Sequence, residues 1–171
     1  MSKKVSFLIC ISIVIICIDQ MTKTYVQTNF NLHDTLSIIP NFLNMTYARN
    51  FGAAFGFLEE AHPQLRDVFM LGIPPLVALL ILVLIYHIKP DTKADNRNNT
   101  LQLVSLSSMF GGALGNYLDR LHYGYVVDFI DFHWNTRYAF PTFNIADCSI
   151  VIGALFLIIS VVRERTHETL H

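Results

Sequence analysis

Two aspartates sit where acidic side chains are expensive. Asp147, in "FNIADCSIVIGALFLII" (143–159), lies three residues into what otherwise reads as a membrane-spanning helix starting at about Ile145. Asp128 lies in "GYVVDFIDF" (124–132), an apolar, aromatic and extended stretch. Nineteen residues separate them, and the chain between must return to the membrane to start its last span. A strand-like return would set the two carboxyl groups face to face. Close carboxylates resist ionising together, so one keeps a proton while the other acts as a base. That is the chemistry of aspartic proteolysis. The base draws a proton from water, which attacks the scissile carbonyl. The acid hydrogen-bonds the carbonyl oxygen and then protonates the leaving amine. Asp147 also admits a structural reading: with Asn144 as helix N-cap it occupies the N3 position, where a carboxylate accepts capping bonds and meets the positive end of the helix dipole. The residues alone leave both readings open.

Other polar residues gather near the same ends of the apolar runs: Asp19 and Lys23, Arg49 and Asn50, Asn116, Asp119 and Arg120, Asp131, and Asn144. Ionisable groups near membrane depth read as functional by default, but each has a plainer alternative. Asp19 and Lys23 are an i, i+4 pair. Asp119 and Arg120 mark a helix end, where structural pairing is the simple account. Asn116, four residues before Arg120, is suited to capping, bridging helices or binding substrate. Asp131 reads as a solvated loop charge. No Cys/His spacing offers a metal site, there is no G-x-S-x-G or Ser/Lys signature, and no cofactor is expected. Cys10, Cys17 and Cys148 lie in apolar runs and read as small fillers, not as a disulfide framework.

These residues must be positioned by a membrane protein. Of 171 residues, 53% are hydrophobic and only 15% charged, too few charges for a soluble surface of this size. A single integral membrane domain, 1–171, is the simplest description, with spans at about 5–25, 68–88, 100–118 and 145–162. The first run follows Lys3 and Lys4 but leads into "DQMTK" with no small-x-small cleavage site, so it reads as a retained anchor. Pro74 and Pro75 are candidates for bending the second span. The third is weak in hydropathy but rich in Gly, Ala and Ser, which let helices approach closely in lipid, and belongs at the centre. The segments 1–4, 89–99 and 163–171 hold seven Lys or Arg, and the longer 19–66 and 119–144 hold five. Both termini are therefore expected in the cytoplasm, with segments 26–66 and 119–144 facing outward. The outward segments are aromatic, consistent with an interfacial belt and with a platform for lipid or peptide.

Five ordered blocks, "DQMTK" (19–23), "NFGAAFGF" (50–57), "GGALGNYLDR" (111–120), "GYVVDFIDF" (124–132) and "FNIADCSIVIG" (143–153), resemble those of the lipoprotein signal peptidases, or signal peptidase II. The resemblance covers nearly the whole chain. It implies an α-helical membrane fold of four transmembrane helices, with an outward β-like cradle and a short interfacial helix within 30–66. It implies an aspartic endopeptidase that cuts signal peptides from diacylglyceryl-modified bacterial prolipoproteins. The catalytic pair would be Asp128 and Asp147. Asp19, Lys23, Asn50, Gly52, Asn116, Asp119, Arg120, Asn144 and Ala146 match positions that support the site or hold substrate; Asp131 is not carried over. The expected setting is the bacterial cytoplasmic (inner) membrane, with the site at the outer face. Membrane lipids and the cyclic peptide inhibitor globomycin are expected partners, and nucleic acid is not. The rival reading is a small proton- or ion-coupled transporter using the same acids as a relay. Transporters place polar groups near the midplane, whereas these gather at one side.

Overall fold

An almost uninterrupted apolar run has no way to satisfy its backbone in lipid except by bonding to itself, so it folds as helix. In the computed structural model, which describes residues 3–52, 62–88, 96–134 and 138–168, the four apolar stretches form α1 (Lys3–Asn29), α2 (Pro63–His87), α3 (Asn96–Tyr123) and α4 (Ile145–Glu168). Three of them contain segments long and apolar enough to cross a membrane: Lys3–Asn29, Val68–His87 and Ile145–Glu164. Each helix extends beyond the span expected from hydropathy, because hydrogen bonding continues into polar flanks. α2 begins on Pro63, whose missing N–H is no loss in a first turn, and runs on through Pro74 and Pro75. No short interfacial helix lies among the described residues of 30–66, and 53–61 fall outside them.

α3 is the least apolar of the four, and it packs against the other three. Its small residues explain how. A Cβ on Gly111 would lie 2.9 Å from Ser12 Cα in α1, and one on Gly112 would collide with Ala146 O and Ser149 Oγ in α4. Close backbone approach of this kind is what small residues permit in lipid. On α2 and α3, Ile81, Ile85, Ile88, Leu103 and Leu106 close a buried apolar cluster. Exposed leucines, isoleucines and valines cover the outer faces of α1, α2 and α4.

The polar-aromatic segments form a small antiparallel sheet in the order β1–β2–β3–β4, with β1 (Thr35–Ile39), β2 (Leu43–Asn50), β3 (Val126–Trp134) and β4 (Tyr138–Ala139). The resemblance puts the cradle within 30–66; the structure corrects this, since β3 and β4 come from the stretch after α3. Asn41 (φ 62°) turns the chain between β1 and β2, and Gly124 (φ 76°) ends α3 in the left-handed conformation that glycine tolerates best. Val26 of α1 packs with Tyr47, Val127 and Phe129 beneath the sheet. Val126 through Phe129 are all buried, which is why this strand reads as a nearly continuous apolar run around Asp128. Phe143 then bonds to β3 before α4 starts: its N–H donates to Ile130 O at 3.1 Å, and its carbonyl accepts from Ile130 N at 2.8 Å. That bridge lays the start of α4 alongside β3.

Candidate active site

The start of α4 organises the site. The first N–H groups of a helix have no partner within it, and here those of Ala146 and Asp147 are met by side chains with other bonds to make. Asn144 Oδ1 accepts from Asp147 N at 3.0 Å, and Asp147 Oδ2 accepts from Asn144 N at 3.2 Å, a reciprocal capping box. Ala146 N donates to Asp19 Oδ1 at 2.9 Å. The capping reading of Asp147 is thus realised, and it coexists with a second role, because the Asn144 amide also donates to Asp128 Oδ1 at 2.7 Å. One asparagine touches both carboxyl groups.

Further bonds hold each acid. Asp128 Oδ2 accepts from Asn50 Nδ2 at 3.0 Å, and Asn50 is turned that way by Gly52 N, which donates to Asn50 Oδ1 at 2.9 Å. Asn50 and Asp128 meet because β2 pairs with β3 and sets Ala48 opposite Asp128. Residues two apart on a strand share a face. Asp147 Oδ1 accepts from Asn116 Nδ2 at 2.7 Å. Asn116 Oδ1 in turn accepts from Asn144 Nδ2 at 3.1 Å and from Lys23 Nζ at 2.8 Å. Asp128 is only 1% exposed, whereas Asp147 is half-buried. Burial first, and then the charge of Asp147, push the Asp128 carboxyl up to about 7, against the bonds from Asn50 and Asn144 and the charge of Lys23.

Behind the pair lies a buried ionic cluster. Lys23 Nζ sits 2.8 Å from Asp19 Oδ2 and 3.0 Å from Asp119 Oδ2, and all three residues are at most 2% exposed. Asp19 and Lys23 are therefore an i, i+4 pair buried between helices. The structural pairing expected of Asp119 reaches beyond its own helix: Asp119 pairs with Lys23 and accepts from Val127 N at 3.1 Å, which ties α3 to β3. Arg120 donates to Met70 Sδ at 3.2 Å and to Asn116 O at 3.2 Å, and its charge acts on Asp147, Asp128 and Asp119. Asp131 is also corrected: it is a half-buried strand residue whose carboxylate accepts from Thr46 Oγ1 at 3.0 Å. A Cβ on Gly115 would lie 2.7 Å from Asp19 Oδ2, so this glycine leaves room for the cluster.

Sequence reasoning missed Gln20. Its Nε2 lies 2.8 Å from Asp119 Oδ1, 3.2 Å from Asp19 Oδ2 and 3.2 Å from Gly115 O. The residue stands inside the "DQMTK" block, but helical spacing ties Asp19 to Lys23 and says nothing of its neighbour. Only the approach of α3 gives that amide its acceptors.

The chain was compared with known proteins. The family described as signal peptidase (SPase) II matches residues 11–163. A lipoprotein signal peptidase of Syntrophus aciditrophicus (strain SB) is 41% identical over 163 residues, covering 95% of this chain and 96% of the relative. One of Staphylococcus haemolyticus (strain JCSC1435) is 41% identical over 170 residues, covering 98% and 99%. Among solved structures, a bacterial membrane enzyme determined by the in meso method at 2.3 Å resolution superposes with a TM-score of 0.78 at 34% identity, covering 94% of this chain and 90% of its own. A second, at 1.9 Å resolution, gives 0.73 at 35% identity, covering 90% and 91%.

Proposed function

This chain belongs to the signal peptidase II family, aspartic-type membrane proteases that remove signal peptides from prolipoproteins, and on that premise we propose that Asp128 and Asp147 are the catalytic pair. The observation that carries this reading is the double use of Asn144, which holds one carboxyl through its side chain and the other through its backbone N–H. Asp128, which keeps its proton up to about 7, is the acid. Asp147, held by Asn116 and facing Arg120, is the base. Asp147 takes a proton from water as the oxygen attacks the scissile carbonyl. Asp128 hydrogen-bonds the carbonyl oxygen and gives its proton to the departing amine. The pair retains one proton in total, with its position exchanged.

The remaining predicted residues are assigned support. Asp19, Lys23, Asp119 and Asn116 fix the platform. Asn50, oriented by Gly52, and Asn144 hold Asp128. Arg120 supplies positive charge, and Ala146 docks α4 on Asp19. The substrate is a diacylglyceryl-modified prolipoprotein that keeps its acyl chains in the bilayer while its peptide reaches the half-buried Asp147. α3 is the fourth crossing, and both termini are in the cytoplasm of a bacterial inner membrane. The sheet and the site are at the outer face, where water enters. Globomycin would inhibit by blocking the pair.

The test is cleavage of a diacylglyceryl prolipopeptide by the purified protein. Wild type should cut it, while Asp128→Asn and Asp147→Asn should insert normally and fall to background. Full activity in either variant refutes the pair. Cutting should survive EDTA; loss on chelation with recovery on added zinc would point to a metalloenzyme instead.

A further inference from the structure

On the face of β2 and β3 opposite the aspartates, Arg49 is exposed. Its guanidinium carbon lies 4.7 Å from the centre of the Tyr125 ring and 5.5 Å from that of Tyr47, and its Nε donates to Tyr47 Oη at 3.1 Å. Phe51 continues the aromatic surface, 5.4 Å from Tyr125 between ring centres, and carries Arg66 at 5.8 Å. Two cations thus stand on one connected run of rings. Stacking fixes the plane of a guanidinium but leaves its outward N–H groups available. No carboxylate among the described residues forms an ion pair with Arg49.

The location says what fits. Tyr47 packs on Val26, and Tyr125 interacts with Gln27, in the last turns of α1. α1 is long and apolar enough to span a bilayer, and Tyr25 on its flank is 57% exposed. A cation set among tyrosines at the end of a span lies at headgroup level. The concentrated anions there are lipid phosphates. A peptide crossing the aspartates would run over the other face of the sheet, which argues against the substrate as occupant.

We propose that Arg49, on its tyrosine shelf, binds the phosphate of an anionic phospholipid. The planar fork matches two phosphate oxygens, and Arg66 contributes a second positive charge nearby. Because Arg49 precedes Asn50 on β2, a lipid held there steadies the strand whose next residue holds Asp128. The proposal goes beyond the peptidase reading and needs only that α1 ends at a membrane surface.

Native mass spectrometry of the full chain in detergent tests it without reference to cleavage. Titrated with dioleoyl-phosphatidylglycerol, the wild type should retain one lipid more than Arg49→Gln, with affinity for that lipid about fivefold above the variant's. Arg49→Lys should be intermediate, since charge remains but the fork is lost. Phosphatidylcholine with the same chains should show no such difference, and inorganic phosphate should not displace the bound lipid. Equal retention by wild type and a folded Arg49→Gln, or equal loss of both lipids, overturns the proposal. Displacement by inorganic phosphate overturns the lipid as the ligand. Peptidase activity measured in parallel reports separately on the catalytic pair.

Discussion

Lys23 is the residue on which the site's electrostatics turn. It lies buried between Asp19 and Asp119, and its third bond goes to the asparagine that holds Asp147. Removing one partner from a buried ion pair strands the other charge. Lys23→Met should therefore destabilise the protein by about 3–5 kcal/mol, read as a fall in Tm in detergent; an unchanged Tm would show that the acids are neutral or hydrated. Asp128 carries the pH dependence. Its carboxyl ionises near 3.8 ordinarily but is pushed up to about 7 in the fold. The folded protein therefore holds a proton there that the unfolded chain has released, and this residue's contribution to stability falls as pH rises from about 4 to about 7. Cleavage should decline as pH rises through about 7, when the pair loses its last proton. The Asn50 bond favours the ionised form of Asp128, so Asn50→Leu should move that alkaline limb upward while lowering kcat. An unmoved limb with reduced kcat would show that another group sets it.

Among the elements, α3 and the first turn of α4 do the positioning. α3 approaches α4 so closely that a side chain on Gly112 meets Ala146 O, one residue before Asp147. Gly112→Leu should separate the helices, lowering expression and Tm and abolishing cleavage. A stable, active variant would mean the contact is slack. The α4 cap tests whether Asn144 is more than a helix start. Loss of an N-cap costs about 1 kcal/mol, whereas Asn144→Ala also removes the amide that holds Asp128 and that bonds Asn116, the partner of Asp147, while its backbone N–H to Asp147 stays. Cleavage should fall far beyond what that modest loss of stability explains. Activity falling only in step with the folded fraction would reduce Asn144 to a cap.

At the scale of the molecule, the bundle sets the sheet against the end of α1, and the site forms where they meet. With four crossings, an alkaline phosphatase fused after Asp34 should be active and one fused at the C-terminus inactive; activity at the C-terminus would remove one crossing. Much of this was legible in the residues themselves. The apolar runs announce the helices, because lipid leaves the backbone no other partner, and the glycines of "GGALG" mark α3 as central. Asp128 and Asp147 stand out because burying a carboxylate is costly wherever it occurs. Asn144 and Asp147 disclose a cap by their spacing alone. Contacts between elements are different, since no local periodicity encodes them. That β3 joins β2, that Asp119 crosses to Lys23 and Val127, that Asp131 sits in a strand, and that Gln20 spans two acids all follow from α3 closing on α1 and from Phe143 pairing with Ile130. The chain alone determined which groups are too costly to bury without partners. Only the tertiary structure decided which partners they have, because long-range packing brings together residues that sequence spacing leaves unrelated.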